Sequence, residues 1–276
     1  MATISRITPQ EWDIANAFSS MDRAFNTAQA EITPQDSYYI GRAAAAYILQ
    51  RYRPYTERPA ITQYLNLICA ALAINSPAPD WYNGYHVMIL DSPELNAFST
   101  PGGHIFITRG LIGIVSSEDM LAAVIAHEMA HIQLRHGIKE IEHERFMDNL
   151  SQERNRAANI AEQEATGKVT EAQTRIFTVS VNEIIQTLFA RGYSQTQEFE
   201  ADALALTLLA SSGYAPGSLV ELLKMLEQGQ ASKLGALKTS HPLPVQRITT
   251  AERLAANYQI PDTRSFRKDR FTRIMR

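Results

Sequence analysis

The sequence has a single cysteine, Cys69, among 276 residues. One cysteine cannot form a disulfide within the chain, so cysteine usage does not indicate a cellular compartment. Cys69 lies in the apolar run YLNLICAALAI, where a thiol behaves as a small buried hydrophobic group. With 45% hydrophobic and 20% charged residues, the composition is that of a globular protein long enough to form a sizeable core.

The sequence also lacks an uninterrupted apolar run of about 18 residues, the length that indicates a transmembrane helix. The nearest approach, IFTVSVNEIIQTLFA, is interrupted by Asn182, Glu183 and Gln186. The first residues, MATISRITPQEWDIANAF, contain no basic region followed by an apolar core, which a signal peptide requires. The residues leave two alternatives open, a cytosolic protein or a chain that begins after a removed export signal.

Neither sign of charge dominates, since the net charge is −3, and no global field favours nucleic acid as a partner. The tail TRSFRKDRFTRIMR is the exception, with six basic residues and one acidic residue. Contact with anionic lipid, and so peripheral membrane association, is one interpretation of this tail. A short solvated terminal segment is the commoner one.

Hydrophobic periodicity predicts helices near 37–51 and 61–74, then three short strands near 85–91, 96–100 and 104–110, then helices to the end. The expected fold class is α+β and predominantly helical, with a small, mostly antiparallel sheet. We expect one domain over 1–276 with five parts: a helical part (1–80), a sheet with a long helix (81–137), a polar, lid-like helical segment (138–190), further helices (191–258) and a basic tail (259–276).

The long helix is predicted over SSEDMLAAVIAHEMAHIQLRHG, residues 116–137. Ser116 is its expected N-cap, with Asp119 at the capping-box position, and Gly137 is its expected stop. This helix is apolar nearly all round but has three polar residues in its body. Polar groups are costly to bury without partners, so these residues indicate a function.

The three residues are His127, Glu128 and His131. Two histidines four apart lie on one face of a helix and can bind one zinc ion at about 2.0–2.1 Å each. Glu128 is about 100° round the helix from His127, so it lies beside the metal without having to bind it. This is the His-Glu-x-x-His pattern of zinc peptidases, in which the glutamate takes a proton from water. A chance match is the alternative, which the apolar context disfavours.

A catalytic zinc needs a third protein ligand, and the segment QEFEADALAL offers candidates. Glu198 and Asp202 share a helix face, and small residues at Ala201 and Ala205 allow close helix packing. Glu198 would then bind the metal, and Asp202 would accept a hydrogen bond from a ligating histidine. Glu200 is the competing ligand, although it points about 200° away from Glu198. A solvated acidic face is the remaining alternative.

The other histidines carry weaker signals. Four of them are expected to be ordinary sheet or surface residues: His86 and His104 in the strands, and His136 and His143 after the long helix. His241 differs, because it precedes a proline-rich turn and is followed six residues later by Arg247. Alone, this spacing is a weak motif.

In combination, these motifs resemble a known family. HEMAH at 127–131, EFEAD at 198–202, HPLPVQR at 241–247 and the preceding NAFSTPGGHIFITRGLI are similar to motifs of the gluzincin metallopeptidases of the HtpX, Oma and CAAX-prenyl-protease type. The resemblance covers about 85–255 and is strongest to the exported bacterial branch of BepA-like and LoiP-like envelope proteases. The first 80 residues match only weakly.

The resemblance implies a zincin-like domain with one Zn²⁺ ion held by His127, His131 and Glu198. It also implies that Glu128 is the general base and Asp202 the partner of a zinc-bound histidine. His241 would lie over the cleft, where it either stabilises the tetrahedral intermediate or occupies the fourth zinc position in a resting form. Arg247 would order this loop by pairing with a carboxylate.

For substrate binding, we expect a peptide to extend along an edge strand formed by Ile105, Phe106, Ile107 and Thr108. The implied function is zinc-dependent endoproteolysis of unfolded or misassembled cell-envelope proteins, in the periplasm or at the envelope. A cytoplasmic location stays open. The main alternative is a chaperone-like outer-membrane assembly or quality-control factor with conditional proteolysis. A non-peptidase zinc hydrolase is a third class that no residue favours.

Overall fold

A computed structural model describes residues 32–141, 192–228, 241, 245–261 and 263–275. The first elements are α1 (Pro34–Arg51), α2 (Pro59–Ile74), β1 (His86–Leu90), β2 (Ala97–Thr100), β3 (His104–Thr108), α3 (Arg109–Ile114), α4 (Glu118–Gln133) and α5 (His136–Ile141). After the gap come α6 (Gln195–Ser211), α7 (Gly217–Gln228), α8 (Val245–Ala255) and α9 (Arg264–Met275). Most of the predicted lid-like segment, and residues 1–31, lie outside the described residues.

The described part is mainly helical with one small sheet, which confirms the predicted fold class. The strand order is β1-β3-β2, with β1 parallel to β3 and β2 antiparallel to β3. The expectation of a mostly antiparallel sheet is therefore wrong, since the two pairings differ. The cause is the chain path: the turn at Gly102 and Gly103, both with positive φ, folds β3 back between β2 and β1.

This order also corrects the predicted edge strand. Ile105, Phe106, Ile107 and Thr108 belong to the central strand, β3, and all five residues of this strand are buried. Both sides of β3 already form a ladder, so a peptide cannot add to it. Among the described residues, no strand pairs with the outer side of β2.

The long helix is shorter than predicted at both ends. Ser117 rather than Ser116 is the N-cap, and its Oγ accepts a hydrogen bond from the backbone N–H of Met120 at 3.2 Å. The helix ends at Gln133, before Arg135, whose φ of 58° is left-handed. Gly137 therefore lies inside the next helix, α5, instead of stopping α4.

Helix α4 lies at the centre of the fold. It packs against α6, α7, α2 and β2, and their apolar side chains form one continuous core with it. Ala201 and Ala205 of α6 are fully buried. Because small residues allow two helices to approach closely, the polar residues of α6 come within reach of those on α4.

The basic tail is a docked helix, α9, so the expectation of a solvated segment is wrong. Arg267 donates two hydrogen bonds to Asp119, at 2.9 and 2.7 Å, and Arg270 pairs with Glu118. Both acidic residues are buried in the first turn of α4, where the helix dipole favours negative charge. Buried carboxylates need partners, and these arginines supply them. No helix in the described part of the chain is long and apolar enough to cross a membrane.

Candidate metal centre

Four buried residues from three parts of the chain converge beside α4. They are His127, His131, Glu198 and His241, and one ligand atom from each lies within 4.8 Å of the others. Nε2 of His131 is 3.1 Å from Nε2 of His127, which is 3.4 Å from Nδ1 of His241. The same Nδ1 atom is 2.9 Å from Oε1 of Glu198.

The spacing of these atoms fits a tetrahedral zinc shell. Ligands about 2.0–2.1 Å from a tetrahedral centre lie about 3.3 Å from one another. The separations above bracket this value, and the Glu198 oxygens are each 3.5 Å from a histidine Nε2 atom. Imidazole nitrogen and carboxylate oxygen are also the donors that zinc accepts. The group therefore fits the ion that the motifs predict.

Local structure explains how the ligands reach this point. His127 and His131 are one turn apart on α4 and face α6. Glu198 lies in the first turn of α6, whose start is held by a capping box between Ser194 and Gln197. The capping box thus fixes where α6 begins.

Asp202 and Arg247 surround the ligands. Oδ1 of Asp202 is 3.1 Å from Nδ1 of His127, the nitrogen that points away from the cluster. Arg247 donates from Nε and an Nη atom to Asp202 at 2.8 and 2.7 Å, and its other Nη atom contacts Glu198. All three charged side chains are buried, so their mutual pairing is what makes their burial tolerable.

These contacts shift the pKa values of the cluster. Burial alone would lower the pKa of His127, but Asp202 and Glu198 outweigh it and raise the value to about 10. Burial lowers the pKa of His131 well below its ordinary value. For Glu198, burial acts upwards but His241 and Arg247 hold the pKa well below the usual range. This carboxylate is therefore ionised at neutral pH, as a metal ligand must be.

Glu128 lies beside the cluster without joining it. Its Oε2 accepts a hydrogen bond from the hydroxyl of Ser99 at 2.9 Å, and its Oε1 lies 3.5 Å from Nε2 of His241. Ser99 belongs to β2, and the sequence analysis did not single it out. A serine in a short strand has no distinguishing pattern, so only the approach of β2 to α4 identifies it.

The chain matches a known family over most of its length. Residues 59–255 match the family described as peptidase family M48. The chain belongs to peptidase family M48. This match confirms the metallopeptidase family that the motifs resemble.

Three relatives illustrate the relationship. This M48 chain is similar to the beta-barrel assembly-enhancing protease of Escherichia coli K12, with 24% identity over 263 residues that cover 92% of the chain and 50% of that protein. It is 26% identical to the putative beta-barrel assembly-enhancing protease of Vibrio cholerae over 215 residues, which are 76% of the chain and 42% of the relative. It is also 26% identical to the mitochondrial metalloendopeptidase OMA1 of Schizosaccharomyces pombe over 178 residues, which are 64% of the chain and 48% of the relative. The chain thus spans about half the length of the curated relatives it matches.

Two further residues lie beside the metal group, and one of them, His136, was predicted differently. His136, expected at the surface, is fully buried, with its Nδ1 atom 2.9 Å from Nδ1 of His131. Glu200, the competing ligand, lies outside the metal group; its side chain is 48% exposed and its Oε2 is 3.1 Å from Nε2 of His136. The bend after α4 turns His136 back towards the site, and helical periodicity does not predict this return. Tyr193 stacks on the His131 ring at a centroid distance of 3.9 Å.

An apolar cavity opens beside the cluster. Its polar wall consists of His127, Glu128, His241 and Arg247. Apolar residues form the rest: Ala97, Leu111, Val124, Leu219, Leu222, Leu223 and Leu226. A smaller cavity lies on the His131 side and is lined in part by Ser99 and Thr100 of β2. Of these two cavities, the larger therefore lies on the side of His127 and Glu128. The predicted residues Ile105 to Thr108 line neither cavity.

Proposed function

We propose that this M48 chain is a zinc-dependent endopeptidase in which His127, His131 and Glu198 hold one Zn²⁺ ion and Glu128 is the general base. The observation that carries this proposal is the spacing of the ligand atoms, which matches a tetrahedral zinc shell. Glu128 supports it, because this carboxylate lies next to the shell but outside it. A bound Zn²⁺ supplies a Lewis acid that polarises the scissile carbonyl and lowers the pKa of water.

The side chains of the site then perform the proton transfers. Glu128 takes a proton from the attacking water and passes it to the leaving amine as the peptide bond breaks. Ser99 holds Oε2 of this carboxylate by a hydrogen bond and leaves Oε1 facing the cluster. Oδ1 of Asp202 lies 3.1 Å from Nδ1 of His127, so this carboxylate would orient the ring with its other nitrogen towards the metal. Arg247 holds Asp202 in place with two hydrogen bonds.

His241 lies among the candidate zinc ligands. A catalytic zinc site keeps one position open for water or substrate, whereas a closed site has four protein ligands. Nδ1 of His241, 2.9 Å from Oε1 of Glu198, would take this fourth position, and its Nε2 lies 3.5 Å from Oε1 of Glu128. We therefore assign the described arrangement to a resting form, from which His241 withdraws before turnover.

The surroundings of the cluster support an extended, apolar substrate. Its backbone would lie along β2, since this strand carries Ser99 to Glu128. The apolar cavity would take a side chain next to the scissile bond. Unfolded proteins expose both features, an unpaired backbone and apolar side chains. They are therefore the substrate class that we propose.

The names of the relatives guide the choice of compartment. Two of the three described above are named beta-barrel assembly-enhancing proteases, one of them as putative, and β-barrel proteins of bacteria lie in the outer membrane. We propose unfolded or misassembled envelope proteins as substrates, in the periplasm or at the envelope. The second candidate is a chaperone-like assembly factor with conditional proteolysis. The position of His241 favours conditional activity, because this residue closes the site.

Replacement of the general base tests the proposal. Glu128→Gln should retain one zinc per chain by elemental analysis, because Glu128 is not a ligand. Its rate of casein cleavage should fall about 10²- to 10⁴-fold, the usual effect of losing a general base. Glu57→Gln, an exposed loop residue, is the matched control and should cleave normally.

Two results would separate the candidate functions. Cleavage by Glu128→Gln at the wild-type rate would contradict the peptidase mechanism. Suppression of aggregation of an unfolded outer-membrane protein by Glu128→Gln, at the wild-type level, would support the chaperone-like role. The peptidase proposal expects the same variant to trap such proteins uncut.

A further inference from the structure

Behind His131, away from the metal group, two polar residues continue in a line. Nδ1 of His131 is 2.9 Å from Nδ1 of His136, and Nε2 of His136 is 3.1 Å from Oε2 of Glu200. We propose that His136 and Glu200 are positioning residues of the metal site, which hold His131 in its metal-binding tautomer and orientation through two successive hydrogen bonds. This inference rests on the proposed zinc site.

The hydrogen-bonding capacity of each group fixes the direction of the chain. A neutral imidazole carries one proton, so one of its nitrogens donates and the other accepts. Nε2 of His131 points into the metal group, 3.5 Å from Oε1 of Glu198, and must be bare to bind a metal. Its proton is therefore on Nδ1 and is donated to His136.

The same reasoning applies to the next residue. Nδ1 of His136 accepts this bond and must be bare, so the proton of His136 lies on Nε2. This nitrogen faces Glu200, whose ionised carboxylate can only accept. The direction of both hydrogen bonds is therefore fixed. The negative charge of Glu200 stabilises the proton that Nε2 of His136 donates.

The arrangement has a counterpart on the other histidine. Nδ1 of His127 faces Asp202 directly, at 3.1 Å. His131 lies farther from α6 carboxylates on that side, and His136 bridges the distance to Glu200. Each histidine of the pair thus has its outer nitrogen tied to an acidic residue of α6, and such partners usually set metal affinity.

The burial of these residues argues for positioning over simple packing. The side chain of His136 is fully buried, while that of Glu200 is 48% exposed. If position 136 only filled space in the core, an apolar residue would serve there, and the carboxylate of Glu200 would not be needed beside it. Tyr193 covers the face of the His131 ring, so His136 controls the remaining freedom, which is rotation in the ring plane.

Zinc affinity tests the inference independently of turnover. The full chain and its variants are titrated with Zn²⁺ against a chromophoric chelator. His136→Ala should lower the affinity about 10- to 100-fold, the range found for such partners. His136→Asn should restore most of it, because Oδ1 of asparagine takes the place of the accepting Nδ1. Glu200→Ala should lower the affinity less than His136→Ala, since the bond to His131 survives.

His86→Ala is the control variant, because it replaces an exposed histidine outside the site and should bind zinc normally. Wild-type affinity in His136→Ala would overturn the inference. A purely structural role of His136 predicts that His136→Ala and His136→Asn lose the same amount of zinc affinity. It also predicts that both variants lower the melting temperature of the metal-free protein. That combination of results would likewise overturn the inference. Failure of the proposed function looks different: the affinity effect appears, yet the wild-type protein cleaves nothing.

Discussion

Nδ1 of His241 lies 2.9 Å from Oε1 of Glu198, although 43 positions separate the two residues in the chain. With His127 and His131, this contact brings four candidate ligand atoms within 4.8 Å of one another. The sequence left two roles open for His241, and we propose the resting role. A residue that only stabilised an intermediate would not need to lie among the candidate ligands.

His241→Ala should therefore raise the rate of casein cleavage several-fold. Removing the side chain opens the fourth corner and increases the fraction of molecules competent to bind substrate. Zinc content should stay at one per chain, because three ligands remain. Initial rates and elemental analysis measure the two effects. A fall in kcat with zinc retained would instead identify His241 as an intermediate stabiliser.

Loss of a proposed ligand should remove the metal. His127→Ala should lack stoichiometric zinc by elemental analysis and should not cleave casein, because only His131 and Glu198 remain as permanent ligands once His241 withdraws. Wild-type protein treated with a chelator should likewise become inactive and recover when Zn²⁺ is added back. Glu57→Gln is again the control. Retention of one zinc per chain by His127→Ala would show that the ligand assignment is wrong.

The docked basic helix should contribute to stability through Arg267. This side chain pairs with Asp119, which is 3% exposed, so Arg267→Ala would leave a buried carboxylate without its strongest partner. Breaking a buried pair costs about 3 kcal/mol of the free energy of unfolding. Urea denaturation of the chelated protein measures this value. Lys268→Ala, exposed on the same helix, is the control, and an equal small effect of both changes would contradict the pairing.

His104 should make stability depend on pH. Burial, aided by His86 and Arg42, lowers its pKa to about 3, and its ring stacks on Tyr38. In the unfolded chain the pKa is about 6.5, so the unfolded state binds more protons below that pH. The stability from neutral His104 is complete above about pH 6.5 and decreases as the pH falls towards 3, by up to about 1.4 kcal/mol per pH unit.

His104→Phe keeps a ring against Tyr38 but cannot take up a proton. Between pH 7.5 and 5, the wild-type protein should lose about 2 kcal/mol more of its free energy of unfolding than this variant. Both proteins are measured by urea denaturation in the presence of a chelator, so the metal-site histidines contribute equally to both. Parallel pH profiles for the two proteins would contradict the assignment of His104 as the titrating group.

Much of the candidate site follows from local patterns. The helical spacing of His127, Glu128 and His131 sets their relative directions, because 3.6 residues per turn holds in any α-helix. The same rule relates Glu198 to Asp202. The motifs around them were specific enough to predict the metallopeptidase family, which the M48 match confirms.

Other features depend on residues that are distant in the sequence. A chain-reversing turn places β3 between β1 and β2. The alternation of polar and apolar residues along a strand does not indicate which strands lie beside it. The capping serine of α4 differs by one position from the prediction, since two adjacent serines offer the same hydroxyl. The partners of the basic tail, Glu118 and Asp119, begin a helix nearly 150 residues earlier in the chain.

The sequence by itself determined which chemistry this protein carries, since the helical spacing of the histidines and carboxylates defines two halves of a metal site. Only the tertiary structure decided how the halves meet. It placed His241 next to Glu198, Ser99 next to Glu128 and His136 behind His131. The physical reason is that spacing along a helix is a local property of the backbone, whereas contacts between elements arise from the packing of the whole core.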